Sequence, residues 1–230
     1  MIDWHSHILP GVDDGSRDID QSLMMLDELI DQQVDTVLAT PHFFAGEESV
    51  DEFLNRRHAA YDALCSRLGD RDVRVLCGAE VKYYAGISRM ADLEKLAIGN
   101  TRLLLLEMSM EKWTDFTIQE LTELAGTRGL KIVMAHVERY LGYIDVKTIR
   151  RLCENGLYMQ VNAGFFERIL SRNKACRLLN SGLIHFIGSD CHNLTSRPPR
   201  VSAAYELIRK RFGEEFLSQM VEYGYYTLEK

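Results

Sequence analysis

The chain has few cysteines for its 230 residues, and no two of the five form a C-x-x-C pair. Cys65, Cys77, Cys153, Cys176 and Cys191 are an odd, scattered set, which reads as reduced, mostly buried thiols of a cytoplasmic protein. There is no excess of positive charge. A net charge of −7 argues against a nucleic-acid partner gripped by a basic face. It does not argue against a small phosphorylated target, because bound metal ions invert the local field. No apolar run is longer than the four leucines from Leu103 to Leu106, so direct membrane insertion is not expected. The first residues hold neither a basic nor a long apolar segment, and a signal peptide is not expected. No low-complexity segment or long linker interrupts the chain. With 46% apolar residues, one domain over residues 1–230 with one sizeable core is the expectation.

What the chain does have is regular alternation. Strand-like runs lie at 2–5, 36–42, 73–81, 102–108, 131–136, 157–162 and 184–190. Most are continuous apolar runs, as buried parallel strands should be. Helix-like stretches lie at 22–33, 49–68, 114–128, 145–154, 167–181, 201–211 and 214–223. Gly69, Gly129, Gly156 and Gly182 close helices ahead of strands, as helix-capping glycines do. Seven alternations predict an α/β fold with a closed or nearly closed parallel barrel, one strand short of eight. A doubly wound open sheet is the runner-up, but only its strands near the switch point would share a crevice.

Six of the seven runs end in residues of metal-ligand type. His5 and His7 follow the first run, His42 ends the second, Glu80 the third, Glu107 the fourth, and His136 the fifth. Asp190 and His192 end the last. A barrel carries its chemistry at the C-terminal ends of its strands, so ligands far apart in sequence meet there. In His5-Ser6-His7 alternate residues of an extended segment point the same way and both imidazoles can reach one ion. Glu80 and Glu107 end strongly apolar runs, where a buried carboxylate needs a cation. Asp14 joins from the loop Gly11-Val12-Asp13-Asp14-Gly15, in which Asp13 reads as an ordinary turn residue. His58 and His185 read as ordinary histidines. Nine candidates exceed one ion's needs and suit two or three ions sharing a bridging carboxylate. Imidazole and carboxylate without thiolate suit Mn, Fe, Zn or Co in an open catalytic site. Clustered ions of this kind favour hydrolysis at phosphorus. Arg139 and Arg197 lie in loops on the same face and suit bidentate phosphate binding, Arg197 in a loop stiffened by Pro198-Pro199.

The order His5-Ser6-His7, Asp14, Pro41-His42, Glu80, Glu107, His136, Asp190, His192 resembles the polymerase-and-histidinol-phosphatase (PHP) family. It is most similar to the manganese-dependent bacterial tyrosine-protein phosphatases encoded with capsule and exopolysaccharide genes. The opening from Asp3 to Gly15, with Ala39-Thr40-Pro41-His42, Gly78-Ala79-Glu80, Glu138-Arg139-Tyr140 and Arg197-Pro198-Pro199, carries the resemblance over about residues 1–223. It implies a distorted (β/α)7 TIM-like barrel with three ions. The first would be held by His5, His7, Glu80 and Asp190. The second would be held by a bridging Glu80 with Glu107 and His136, and the third by Asp14, His42 and His192. It implies phosphotyrosine on the flexible tail of a partner tyrosine kinase as substrate, bound as an extended peptide across the barrel mouth. Histidinol phosphate or another small phosphomonoester is the alternative within the family, and a homo-oligomer is left open. Val137 replaces the proline usual in this subgroup and Cys191 a small or apolar residue, without loss of a ligand.

Three other classes fit less well. Cys191 to Arg197 satisfies C-x5-R, but that loop has no glycine to wrap phosphate and prolines follow its arginine. A metal-dependent amidohydrolase shares H-x-H but not the terminal Asp-x-His with two strand-end glutamates. A non-catalytic scaffold barrel should have lost ligands, and none is missing.

Overall fold

The computed structural model describes residues 1–230, the side chain of Thr127 apart. The chain begins with β1 (Ile2–Ser6), α1 (Ile19–Asp31), β2 (Thr36–Ala39), β3 (His42–Phe43) and α2 (Val50–Cys65). Next come β4 (Arg74–Cys77), β5 (Glu80–Lys82), β6 (Leu103–Glu107), α3 (Asp115–Thr127), β7 (Lys131–Met134) and α4 (Val146–Glu154). The last elements are β8 (Tyr158–Asn162), α5 (Gly164–Glu167), α6 (Ile169–Asn180), β9 (Phe186–Gly188), α7 (Ser202–Phe212) and α8 (Glu214–Leu228). Side-chain caps start most of the long helices. Asp18, Thr114 and Asp145 each accept a backbone N–H of the first turn, and Ser49 with Glu52 forms a full capping box.

All strand pairs are parallel, in the orders β1-β2-β4 and β3-β5-β6-β7-β8-β9. The sheet is curled, with helices on its outer face. The expected runs at 36–42 and 73–81 are each split in two. Pro41 has no N–H to give the ladder, and the register sets Thr40–Pro41 against Gly78–Ala79 of the neighbouring strand. Bonds from Gly78 N to Ala39 O and Glu80 N to Pro41 O, both 2.9 Å, carry the pairing across the break. At the far edge β1 meets the residues after β9. Ser6 and Cys191 form a parallel bridge, Asp190 N donates to His5 O at 2.7 Å and His7 N to Cys191 O at 2.9 Å.

Two apolar clusters follow from strand alternation. The larger one lies between strands and helices. The smaller one, on the concave face, holds Ile2, Trp4, Leu38, Leu103, Leu105, Val133, Phe186 and Leu228, with Trp4 stacked on Phe186 at 3.6 Å. It forms the floor beneath the strand ends. Leu228 is buried in that floor, which is why α8 runs past the expected stop at 223. The stretch expected as one helix at 167–181 is instead broken at Arg168, which is extended (φ −70°, ψ 126°). Between β5 and β6 the chain makes two 3₁₀ turns, Ile87–Arg89 and Leu93–Leu96, where the sequence reading assigned no element. The four expected capping glycines all have positive φ. No helix among the described residues is long and apolar enough to cross a membrane.

Candidate metal centre

Nine histidines and carboxylates gather at the C-terminal ends of the strands. Their placement begins with register. His42 on β3 lies directly opposite Glu80 on β5, and Lys82 opposite Glu107 on β6. His136 and Asp190 each follow a strand end in the left-handed region, at φ 31° and 54°. Only a few per cent of non-glycine residues adopt that conformation, and it is common where a site dictates side-chain direction. Here the twist turns both side chains back over the floor. Two glycines provide clearance. A Cβ on Gly15 would lie 2.2 Å from His7 O, and one on Gly188 would lie 2.7 Å from His5 Cβ.

Glu80 is the hub, with a side chain only 1% exposed. Its Oε2 lies 3.2 Å from His5 Nε2, 3.4 Å from His7 Nε2 and 3.0 Å from His42 Nδ1; its Oε1 lies 2.8 Å from His136 Nε2. Asp190 Oδ1 closes the group at 3.7 Å from His5 Nε2 and 3.5 Å from His7 Nε2. On the outer side Asp14 Oδ1 stands 3.4 Å from His42 Nε2 and 3.3 Å from His192 Nε2. On the other flank Glu107 Oε1 is 3.6 Å from His136 Nε2, and its Oε2 is 3.0 Å from Lys82 Nζ.

Donor atoms within 4.8 Å of one another fall into three groups: His5, His7 and Asp190; His42, Glu80 and Glu107; and His7, Asp14, His42 and His192. These groups hold eight of the nine candidates, and His136 adjoins them through Glu80. The groups are not those the family resemblance implies. His42 joins Glu80 and Glu107 where His136 was expected, with His136 beside them. His7 also reaches toward the third group.

The hydrogen bonds behind the imidazoles decide what the site accepts. His7 Nδ1 lies 2.6 Å from Asp13 Oδ2, and a carboxylate only accepts, so Nδ1 carries the proton. His5 Nδ1 lies 3.4 Å from Gln160 Oε1, which already accepts the His136 N–H at 2.6 Å. That nitrogen is a donor too. In their neutral forms both rings then present Nε2 lone pairs to each other, 3.1 Å apart. Two lone pairs cannot hydrogen-bond, and a cation between them satisfies both. Among the described residues His192 Nε2 is buried with no hydrogen-bond partner, although Asp14 Oδ1 lies 3.3 Å away. The residues thus fit divalent ions, in the donor chemistry of borderline metals.

Electrostatics agree with this. Burial alone would raise the Glu80 carboxyl, yet the charge of His5 and hydrogen bonds from His136, His42 and His5 hold it well below the usual range. Burial would lower His7, but Asp13, Asp190 and Glu80 raise it well above. His192 is depressed to about 4, by burial first and then by His7 and Arg197.

Sequence reasoning took Asp13 for a turn residue. The turn is real, but Asp13 also holds His7 and accepts the His42 N–H at 2.9 Å. It missed Lys82, Tyr140, Gln160 and Asn162 as well. Tyr140 OH lies 3.2 Å from His136 Nδ1. Gln160 and Asn162 share the i, i+2 spacing of His5 and His7, which is the signal that could have found them. His58 and His185 lie outside the site: His58 neighbours Arg57, and His185 Nδ1 accepts the Met159 N–H.

Arg139 and Arg197 stand at the mouth and both donate to Asp190, Arg139 to Oδ2 and Arg197 to Oδ1. A groove of about 1080 Å³ opens beside Arg139, lined also by Asn162, Phe165, Arg168, Leu170 and Lys174. Cys191 is fully buried and its thiol is pushed well above its usual range, chiefly by burial and then by Asp3. In the loop after it, Asn193 Oδ1 accepts the N–H groups of Thr195, Ser196 and Arg197 at 2.9, 2.8 and 3.2 Å. Those donors are turned inward rather than toward a phosphate, which removes the basis of the cysteine mechanism.

A family model described as capsular polysaccharide synthesis, CpsB/CapC, matches residues 1–224. The chain is 33% identical over 231 residues to the tyrosine-protein phosphatase CpsB of Streptococcus pneumoniae, across 93% of this chain and 91% of that protein. It is 30% identical over 229 residues to the tyrosine-protein phosphatase YwqE of Bacillus subtilis, across 96% of this chain and 89% of that one. A solved structure from work on YwqE of Bacillus subtilis and CpsB of Streptococcus pneumoniae, described there as metal-dependent tyrosine phosphatases, superposes with a TM-score of 0.84 at 29% identity. The match covers 96% of this chain and 92% of that one.

Proposed function

The chain belongs to the CpsB/CapC family of capsular polysaccharide synthesis, and from that membership we propose that it is a metal-dependent tyrosine-protein phosphatase. The observation that carries the reading is the pair of imidazole Nε2 atoms 3.1 Å apart, ringed by Glu80 and Asp190. We assign His5, His7, Asp14, His42, Glu80, Glu107, His136, Asp190 and His192 as ligands of two or three ions, manganese ahead of iron, zinc or cobalt. Such ions supply an activated water and a clamp on the phosphoryl oxygens.

The chain's own residues bind and orient the phosphate. Arg139 and Arg197 each engage Asp190 through one nitrogen and keep the rest of the guanidinium fork for phosphate oxygens. Their side chains are 30% and 38% exposed, so an arriving phosphomonoester meets them first. The substrate is phosphotyrosine on the flexible tail of a tyrosine kinase that controls capsule or exopolysaccharide synthesis. The groove beside Arg139 would receive the flanking peptide in extended form. The protein acts in the cytoplasm. Its curled sheet is read as a distorted (β/α)7 barrel closed through Ser6 and Cys191, one domain over residues 1–230.

The test combines metal analysis with kinetics. Purified protein should hold two or three divalent ions and lose activity to a chelator, with manganese restoring it best. Activity without bound metal would overturn the assignment. kcat/KM should favour a phosphotyrosine peptide over histidinol phosphate. A preference of orders of magnitude for histidinol phosphate would make the protein a biosynthetic enzyme instead.

A further inference from the structure

Of the seven strand runs, β8 alone ends without a ligand-type residue; it ends Gln160-Val161-Asn162. A single donor with no freedom fixes the direction of this amide pair. The backbone N–H of His136 can only donate, and it donates to Gln160 Oε1 at 2.6 Å. Gln160 is fully buried, so its amide cannot be reversed without facing NH₂ against N–H. Its Nε2 therefore donates to Asn162 Oδ1 at 3.1 Å. With its oxygen engaged, Asn162 turns its own NH₂ to Asp190 Oδ2 at 2.8 Å. In the other direction the same Gln160 Oε1 lies 3.4 Å from His5 Nδ1, an arrangement that requires the proton on Nδ1. The Asn162 backbone N–H is held by both oxygens of Glu138 at 3.3 Å. Gly188 makes room: a Cβ there would lie 2.9 Å from Gln160 Nε2.

We propose that Gln160 and Asn162 are positioning residues forming a one-way amide relay that sets the tautomer of His5 and the aim of Asp190, and so presets the cation site shared by His5, His7 and Asp190. The proposal rests on the metal-centre reading above. The two residues that it orients come from β1 and from the end of β9, where the two ends of the sheet meet. An outer hydrogen bond that fixes a ligand's orientation commonly changes metal affinity by about 10- to 100-fold.

The experiment is Mn²⁺ titration of the full chain, following free Mn²⁺ by electron paramagnetic resonance, with Tm measured alongside. Gln160→Leu should weaken one class of site by about 10- to 100-fold, leave the remaining sites unchanged, and recover kcat at saturating Mn²⁺. Asn162→Ala cuts only the Asp190 branch and should weaken the same class by less. Gln160→Glu keeps the acceptor for His136 and His5 but loses the NH₂. Asn162 must then turn its own NH₂ to the new carboxylate and its oxygen to Asp190, so this variant should match or exceed Asn162→Ala. Folded variants that bind Mn²⁺ as wild type does would overturn the relay, as would a uniform loss at every site with a lowered Tm. Should Gln160→Leu not fold, Asn162→Ala and Gln160→Glu decide by the same criteria. A wild-type chain that binds no Mn²⁺ overturns the metal-centre reading instead.

Discussion

His7 uses its two nitrogens differently: Nδ1–H is tied to Asp13, and Nε2 faces Glu80 and Asp190. In the metal-free protein burial works to lower His5 and His7, yet the surrounding carboxylates raise both above the ordinary value of about 6.5. A cation must displace those protons. Mn²⁺ affinity should therefore fall as pH falls, beginning above pH 6.5 and not below it. Titrations at pH 8, 7 and 6 check this, and an affinity flat across that range would contradict it. Cys191→Ser should keep most activity, because the thiol is buried and faces no substrate, whereas His7→Ala or Asp190→Ala should abolish it. Arg139→Ala and Arg197→Ala should each lower kcat/KM by about 1.5–3 kcal/mol, the range of a lost charged hydrogen bond. An unchanged kcat/KM would remove them from phosphate binding. The nine ligand-type residues were legible because each stands at a strand end or in the first loop. Asp13, Gln160 and Asn162 were not. Their roles depend on partners as far as 155 positions away in sequence, which residue type alone does not reveal.

The element that the site most depends on is β9, three residues long and placed against both β1 and β8. Gly188 ends it. An alanine Cβ there would meet His5 Cβ at 2.7 Å, His5 N at 2.8 Å and Gln160 Nε2 at 2.9 Å. Two of those atoms belong to the neighbouring strand's backbone or root and cannot swing away. Gly188→Ala should cost about 1–3 kcal/mol, as overpacking does, and weaken Mn²⁺ binding with it. Urea unfolding at wild-type midpoint would show that the strand can shift after all. At this scale the alternation and all seven runs could be read in advance, because buried parallel strands are continuously apolar. The splits at Pro41 and Gly78 could not, since the register of neighbouring strands decides them. Nor could the left-handed turns of His136 and Asp190, which the fold imposes against local preference.

At the scale of the whole molecule, the seam between Ser6 and Cys191 joins the first strand to the last. Synthesis runs from one to the other. A growing chain that has just completed β8 already owns His5, His7, Asp14, His42, Glu80, Glu107 and His136, but nothing to set Asp190 and His192 beside them. Forming that contact early would close a loop spanning most of the chain, before any burial offsets its entropy. The site is therefore assembled late: shorter lengths are collections of strands whose histidines lack Asp190 to complete their surroundings. Chains arrested on the ribosome before Asp190 should take up no tightly held Mn²⁺ and release no phosphate. Chains arrested far enough beyond α8 for it to emerge should do both, and the transition between the two should be abrupt in length. Metal uptake would then count finished molecules, and an aborted fragment could not strip phosphate from its target.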